Sequence, residues 1–288
     1  GTLLLDPKDI TIATTTVYDA SSYMIGAGYS STNDIDESTG LQNGLDRQFG
    51  HSVALDGKWL AVGGSHVDGS TGGINRTGTV FLYSYSDTSF SGGALEALIG
   101  NEWDGGNNFD MADNLINPNL GLAGKDRFGQ SVSLHQGRLA VGARGDDGYK
   151  RNDTSAGSNI GAVYLFNLVN SSGTVTDDPD SFAGLTLEAV IGRNYPANKD
   201  ISLSGTYGAD AGNNNTGPSS TALGGIQNSV VGNNQGDELF PVSLSEDADG
   251  NTRLAVGLLR DDNYNQSGNK RDHGAVLLFT FNDAQPTL

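Results

Sequence analysis

The sequence predicts an all-β protein assembled from small antiparallel sheets that repeat along the chain. The first observation is that one set of strand-like blocks occurs three times within the 288 residues. The second is composition, since 42 residues are glycine, 36% are hydrophobic and only 17% are charged, as in short strands joined by polar turns. The third is that no long stretch places apolar residues at helical spacing.

Each repeat contains four strand-like blocks in a fixed order. The first ends in Ile-Gly with an aromatic residue three positions later, and the second contains a Phe-Gly pair followed by a short strand. The third reads Leu-Ala-Val-Gly, and the fourth reads Gly-Ala-Val-Tyr-Leu-Phe or a close variant. Tight turns such as Asp56-Gly57 join the second and third blocks as hairpins. The blocks lie, in order, at residues 24–29, 98–103 and 190–195; 46–55, 126–134 and 237–244; 60–63, 139–142 and 254–257; and 77–83, 161–166 and 273–279.

The central strands are suited to burial on both faces. In the third block, Leu139 and Val141 point to one side of the sheet, and Ala140 and Gly142 point to the other. A strand buried on both sides lacks polar alternation, and small residues allow a second sheet to approach closely. The repeats therefore predict stacked sheets of four antiparallel strands, arranged like the blades of a β-propeller.

These motifs resemble the FG-GAP repeat, which builds propeller blades in integrin α-subunit heads and in many bacterial surface proteins. The resemblance covers most of residues 46–281 outside the loops, and it recurs three times. It implies FG-GAP-type blades, calcium bound through acidic loops and an extracellular or cell-surface location. The third copy departs from the motif, because Phe240-Pro241 replaces Phe-Gly. Since proline cannot donate a ladder hydrogen bond, Pro241 should lie at a strand start or an edge.

The repeats divide the chain into four segments. Residues 1–18 form an N-terminal strand segment that could complete a neighbouring blade, and residues 3–12 resemble a segment of large secreted exoproteins of the filamentous-haemagglutinin type. An ordinary pair of strands explains residues 3–12 equally well. The three predicted blades occupy residues 19–85, 86–167 and 168–288, and the third carries a long Gly/Asn-rich insertion at 193–236.

Three blades are fewer than the four to eight of known propellers. Four explanations stay open: a strand from residues 10–18, a ring shared by two chains, a section of a larger polymer or fibre, or a degenerate blade hidden in 193–236. We favour assembly with other copies or with further parts of the same parent protein.

Charge and cysteine content exclude several classes of function. The formal net charge of −18 argues against nucleic acid and against anionic membrane surfaces, because both need clustered Lys and Arg. It suits an extracellular protein or one that collects divalent cations. The absence of cysteine excludes disulfides, thiolate metal sites and cysteine nucleophiles. No apolar run is long enough to insert into a bilayer.

Two sets of acidic residues are candidates for calcium, which prefers several oxygen ligands. One set recurs in the loop after the third block, and the other lies in the turn between the second and third blocks of the last repeat. Each set also has a simpler explanation. The acids in the loops could pair with Arg76, Arg151 and Arg271, and those in the turn could belong to an ordinary solvated turn. The candidates are Asp68, Asp146, Asp147, Asp261 and Asp262 in the loops, and Asp247, Asp249 and Asn251 in the turn.

The chain offers no convincing catalytic set. The four histidines (51, 66, 135 and 273) occupy different offsets in their repeats and show no metal-ligand spacing. Ser52 and Ser131 lack a nucleophile elbow and a recurring His and Asp. We therefore expect no enzyme and, apart from possible calcium, no cofactor.

The sequence favours a non-enzymatic binding or adhesion module outside the cell. Its partner would be a protein or carbohydrate at a cell surface, or further copies of itself, and the long loops at 101–125 and 193–236 would form the contact surface. The alternative is a structural subunit or spacer of a filament or giant exoprotein. A propeller hydrolase or lyase is a third, less favoured possibility.

Overall fold

The structure, a computed structural model, describes residues 23–29, 34–37, 47–70, 76–111, 122–148, 161–192, 195, 201–202, 238–259 and 274–281. Within them the protein is all-β, as predicted, and the one helical element is a 3-10 turn at Pro179–Ser181. The strands are β1 Ile25–Gly26, β2 Ile35–Asp36, β3 Phe49–Asp56, β4 Trp59–Gly64, β5 Thr79–Ser84, β6 Ala94–Gly100, β7 Phe109–Asp110, β8 Phe128–His135, β9 Arg138–Ala143, β10 Ala162–Asn170, β11 Phe182–Gly192, β12 Ile201–Ser202, β13 Glu238–Glu246, β14 Thr252–Leu259 and β15 Ala275–Phe281.

Most of these strands form three blade-like sheets, of which the first two have the same topology. The first sheet has the order β3-β4-β5-β6-β7 and the second has the order β8-β9-β10-β11-β12. In each, four antiparallel strands are followed by a two-residue parallel strand at the outer edge. The third sheet has the described strands β13-β14-β15. The predicted blades of four antiparallel strands are thus confirmed.

The structure corrects the assignment of the Ile-Gly strand. The sequence analysis placed this strand first in its repeat, but β6 pairs with β5, with Val80 opposite Ile99. The second sheet pairs β10 with β11 in the same way, with Val163 opposite Ile191. The reason is chain connectivity, because the short loop 85–93 returns β6 directly alongside β5 as an antiparallel neighbour. In the first two sheets the Ile-Gly strand is therefore the fourth antiparallel strand, and it belongs to the sheet before the one that the sequence units suggest.

The hydrophobic core lies between successive sheets. We call the side of a sheet that faces the next sheet along the chain its front face, and the opposite side its back face. Val80 and Leu82 on the front of the first sheet share one core with Val132 and Leu134 on the back of the second. A second core joins the front of the second sheet to the back of the third in the same manner. The Leu-Ala-Val-Gly strand of the second sheet, which lies between the two cores, is therefore buried on both faces, as its composition requires.

The Phe-Gly motif of the second repeat fastens the second sheet to the first. Phe128 is fully buried, and Gly129 adopts a φ of +81°, which favours glycine. A Cβ at this glycine would lie 3.0 Å from the Thr79 carbonyl oxygen and 3.1 Å from Val80 Cγ2. The Ser52 hydroxyl donates a 2.8 Å hydrogen bond to the Gly129 carbonyl. The motif thus brings two backbones into direct contact.

A short parallel pair, which we call the outer bracket, follows every Ile-Gly strand. Its register pairs Ile25 with Ile35, Ile99 with Phe109, and Ile191 with Ile201, so the partner is always ten positions later (35 − 25, 109 − 99, 201 − 191). The first and second brackets pack on the back face of the following sheet. Thus Ile25 and Ile35 pack beside Phe81 and Tyr83, and the Phe109 ring lies 5.2 Å from Phe166.

Candidate functional site

Long connections leave all three sheets at one end, which we call the loop end. In the first sheet, β4 and β6 finish side by side, because Thr79 pairs with both Gly64 and Gly100. In the second sheet, Ala162 pairs with both Ala143 and Gly192. The long connections 65–78, 101–127, 144–161 and 193–237 therefore start at this end. The opposite end carries the hairpin turns at 57–58, 85–93, 136–137 and 247–251.

The loop end of the first sheet is built by contacts between its two connections. The Ser70 amide donates to the carbonyl oxygen of Asn101 at 3.3 Å. The Asn101 side chain is fully buried and exchanges two hydrogen bonds with the Leu122 backbone, at 2.7 and 3.2 Å. A buried amide thus anchors the connection 101–127, whose predicted contact residues 112–121 lie outside the described residues.

Asp146, a calcium candidate, lies in a buried cluster with two tyrosines at the loop end of the second sheet. Its carboxylate accepts hydrogen bonds from the Tyr164 hydroxyl at 2.6 Å, the Tyr195 hydroxyl at 2.9 and 3.0 Å, and the Gly148 amide at 2.7 Å. Burial raises the pKa of Asp146, and these donors oppose that rise. Burial also raises the pKa of both phenols well above the ordinary value. Protein donors occupy both carboxylate oxygens.

The first repeat fills the same positions with apolar groups. Val67 lies three residues after Gly64, just as Asp146 lies three residues after the equivalent Ala143. Phe81 and Trp103 occupy the positions of Tyr164 and Tyr195. All three are buried in one cluster. The equivalence indicates that the hydrogen bonds of the Asp146 cluster hold its loop in place, as hydrophobic contacts do in the first repeat.

Two arginines of the first repeat contact the Asp68 carboxylate in different ways. Its Oδ1 accepts the backbone N–H of Arg76, and its Oδ2 lies 3.6 Å from a guanidinium nitrogen of Arg47. The predicted partner Arg76 therefore contributes its amide. Asp147 occupies the equivalent position in the second repeat and is half-buried. Asp261, Asp262, Arg151 and Arg271 lie outside the described residues.

Asp247, Asp249 and Asn251 lie in a hairpin turn at the opposite end of the sheets. The Asp247 carboxylate accepts the amides of Asp249 and Asn251, each at 2.9 Å, together with the Asn251 side-chain amide. The Asn251 hydrogen bonds, chiefly from its side chain, lower the pKa of Asp247. Asn170 closes the turn 170–174 with the same two backbone bonds, at 2.9 and 3.1 Å, so this geometry forms without a carboxylate.

In the described parts of the chain, no cluster of three or more His, Asp or Glu side chains is placed to hold a metal ion. Calcium at the candidate acids stays a prediction. The two candidate sets lie at opposite ends of the sheets, so they could not share one ion.

Polar side chains of the Phe-Gly block link neighbouring sheets. His51 lies 3.0 Å from Gln130, and His135 lies 3.6 Å from Glu246. The Ser133 hydroxyl accepts the Leu244 amide at 2.8 Å. With the Ser52 bond to Gly129, these contacts place the candidate serine and histidine positions at sheet boundaries. His273 lies outside the described residues.

The role of the residues that fix the outer brackets was not predicted from the sequence. Asp34 and Asn108 accept the amides of Met24 and Leu98 through their side chains, at 2.9 and 2.8 Å. Asp36 and Asp110 accept the amides of Gly28 and Glu102 at 2.8 and 2.7 Å. The sequence signal for these residues is a second hydrophobic residue ten positions after the Ile of the Ile-Gly pair, with a polar residue on each side of it.

Among the described residues, no helix has the length and apolar character needed to cross a bilayer. A search of curated proteins finds no match, and the resemblance of residues 3–12 to large exoproteins stays a prediction. The family model described as FG-GAP repeat matches residues 121–166. This range contains β8, β9 and the first half of β10, with the Phe-Gly motif and the Asp146 loop. The match supports the FG-GAP resemblance at the second repeat and indicates a β-propeller-type module.

Proposed function

We propose that this protein is a non-enzymatic binding or adhesion module that works outside the cell. The observation that carries the proposal is the loop end, where the connections 65–78, 101–127, 144–161 and 193–237 all join the sheets on the same side. Loops clustered on a rigid scaffold are a common way to build a binding surface. FG-GAP repeats usually occur in extracellular proteins, and the net charge of −18 suits a partner without an anionic surface.

The polar groups of the repeats support a binding role over an enzymatic one. The Asp146 carboxylate, the Ser52 hydroxyl and the Asp247 carboxylate all have protein hydrogen-bond partners that explain their positions. A protein or a carbohydrate is the partner class we propose. A structural subunit of a larger assembly is the second candidate, and the exposed sheet faces described in the next subsection favour it.

The test is binding of the intact chain to a glycan array and to a panel of purified extracellular proteins. Replacing residues 203–236 with a short Gly/Ser linker should abolish any binding found, because it removes most of one loop-end connection. Shortening the hairpin loop 171–175 at the opposite end is the matched control and should leave binding unchanged. Circular dichroism checks that both variants fold.

Two results would contradict the proposal. The first is binding that survives the loop-end replacement and disappears with the hairpin change. The second is turnover of a substrate by the intact chain in a broad hydrolase and lyase screen.

A further inference from the structure

The front face of the third sheet exposes side chains that are buried in the other two sheets. Val276 and Leu278 of β15 are 64% and 74% exposed. The equivalent valines, Val80 and Val163, are fully buried, and the equivalent leucines, at positions 82 and 165, are no more than 8% exposed. Their burial comes from the back face of the next sheet. The third sheet therefore presents one half of an interface that this chain builds twice internally.

The back face of the first sheet presents the other half. Val53 and Leu55 are 63% and 54% exposed, whereas the equivalent Val132 and Leu134 are each 7% exposed. Gly50 has a φ of +83°, like the +81° of Gly129, but a Cβ added at Gly50 would meet nothing within 4 Å. The backbone shape that receives the front of a preceding sheet is formed here, and no described residue occupies it.

The outer edge of the third sheet shows the same incompleteness. Among the described residues, nothing pairs with the free edge of β15. In the first and second sheets the equivalent edge is covered by an Ile-Gly strand. β1 is an Ile-Gly strand whose described partner is β2, and its bracket packs on the back face of the first sheet. β1 thus lies where the outer strand of a preceding sheet belongs.

We propose that two copies of this chain join head to tail. The front face of the third sheet of one copy packs on the back face of the first sheet of the other, and β1 of the second copy pairs with β15 of the first. By analogy with Val80 opposite Ile99, the expected register places Val276 opposite Ile25. This association goes beyond the proposed binding function and does not depend on it.

The number of sheets favours a closed pair. Two copies bring together six sheets (3 + 3), within the roughly four to eight blades of propellers. One chain that closed on itself would have only the three blade-like sheets that its described residues form. A head-to-tail interface uses different surfaces on the two partners, and it ends growth when the ring closes. Closure would bury both end faces and cover the β15 edge, which is otherwise open to uncontrolled strand pairing.

Cysteine cross-linking tests the predicted register, because the chain has no cysteine of its own. Within the first sheet Phe81 lies opposite Leu98, and the equivalent pair across the proposed interface is Leu277 and Met24. Antiparallel partners have Cα separations of about 4.5–5.5 Å, which a disulfide can span. A mixture of Met24→Cys and Leu277→Cys chains should give a disulfide-linked species of two chains under mild oxidation. Val175→Cys mixed with Leu277→Cys is the control and should not link. The doubly substituted chain should also link between chains; an intrachain disulfide in it would overturn the proposal, as would no link in the mixture.

Surface charge tests the two faces separately. Val53→Asp places a charge on the back face of the first sheet, and Leu278→Asp places one on the front face of the third. Because either charge should prevent association, each variant alone should have the mass of one chain. Their mixture retains one intact interface and should form a two-chain species. Val175→Asp, outside both faces, should assemble like the unaltered protein. If only one of the two face variants lost assembly, or the mixture stayed monomeric, the head-to-tail arrangement would be wrong.

Discussion

At the scale of single residues, the recurring polar groups serve the fold. Asp146 shows this most clearly, because a carboxylate suggested by the sequence as a metal ligand is bound by two phenols inside the protein. The sequence predicted the position of this acid but not its partners. Tyr195 lies 49 positions away in the chain, and such distant contacts depend on which strands lie side by side within a sheet.

Tyr195→Phe should lower the free energy of unfolding by about 1–3 kcal/mol, because a buried carboxylate loses one of its donors. Tyr29→Phe is the matched control, since Tyr29 follows the N-terminal Ile-Gly pair in the same way but is largely exposed. Its effect should stay within about 0.5 kcal/mol. Urea denaturation measures both, and equal effects would contradict the role given to the cluster.

The raised pKa of Asp146 predicts a pH-dependent contribution to stability. When the folded-state pKa of a carboxyl lies above its ordinary 3.8, the group contributes its full stabilisation of the folded state at pH values below 3.8. This contribution is lost as pH rises through the folded-state pKa. Stability of the unaltered protein relative to Asp146→Asn should therefore fall as pH rises from below 4. Urea denaturation of both proteins across this range measures the difference, and a difference that increases with pH would contradict the assignment.

Asp247→Asn should keep the hairpin turn at 247–251, because Asn170 closes an equivalent turn. Asp247→Ala should destabilise the protein relative to Asp247→Asn, because the side-chain bonds that close the turn are lost. A chelator should leave the thermal midpoint of the unaltered protein unchanged. A lower midpoint in chelator that calcium restores, and that Asp247→Asn no longer shows, would identify this turn as a calcium site.

At the scale of strands, the sequence predicted the elements better than their neighbours. The Phe-Gly and Leu-Ala-Val-Gly strands, and the hairpin between them, form as expected. β6 was assigned to the following sheet because its Ile-Gly motif precedes the next Phe-Gly block in the sequence. Local pattern fixes strand character, whereas pairing is decided by the short loop 85–93 that precedes β6. The two-residue bracket strands were too short to be recognised.

Gly129→Ala should destabilise the protein more than Gly50→Ala, although the two glycines have nearly the same φ. Both changes cost about 1–2 kcal/mol for a left-handed alanine, but a Cβ at Gly129 also collides with the preceding sheet. The comparison should be made by urea denaturation in the monomeric Val53→Asp background, where Gly50 has open space before it. Equal losses would show that Gly129 does not set the distance between sheets.

At the scale of the whole molecule, the described residues form a stack of three blade-like sheets whose end faces match the interfaces inside it. The repeat count in the sequence already showed that three blades are too few for a ring, and assembly with other copies was one of the open explanations. The sequence could not show which faces are exposed, because the same apolar residues occupy the buried and the open positions. Val276 and Val163 stand in equivalent motifs and differ only in what covers them.

Light scattering on a sizing column gives the mass of the intact chain in solution and is the direct test of head-to-tail association. We predict a discrete species of two chains, twice the mass of 29.9 kDa, which separates into single chains when Leu278→Asp is introduced. A single-chain mass at the highest concentration reached would contradict it, since the exposed faces of the first and third sheets would then have no affinity for each other.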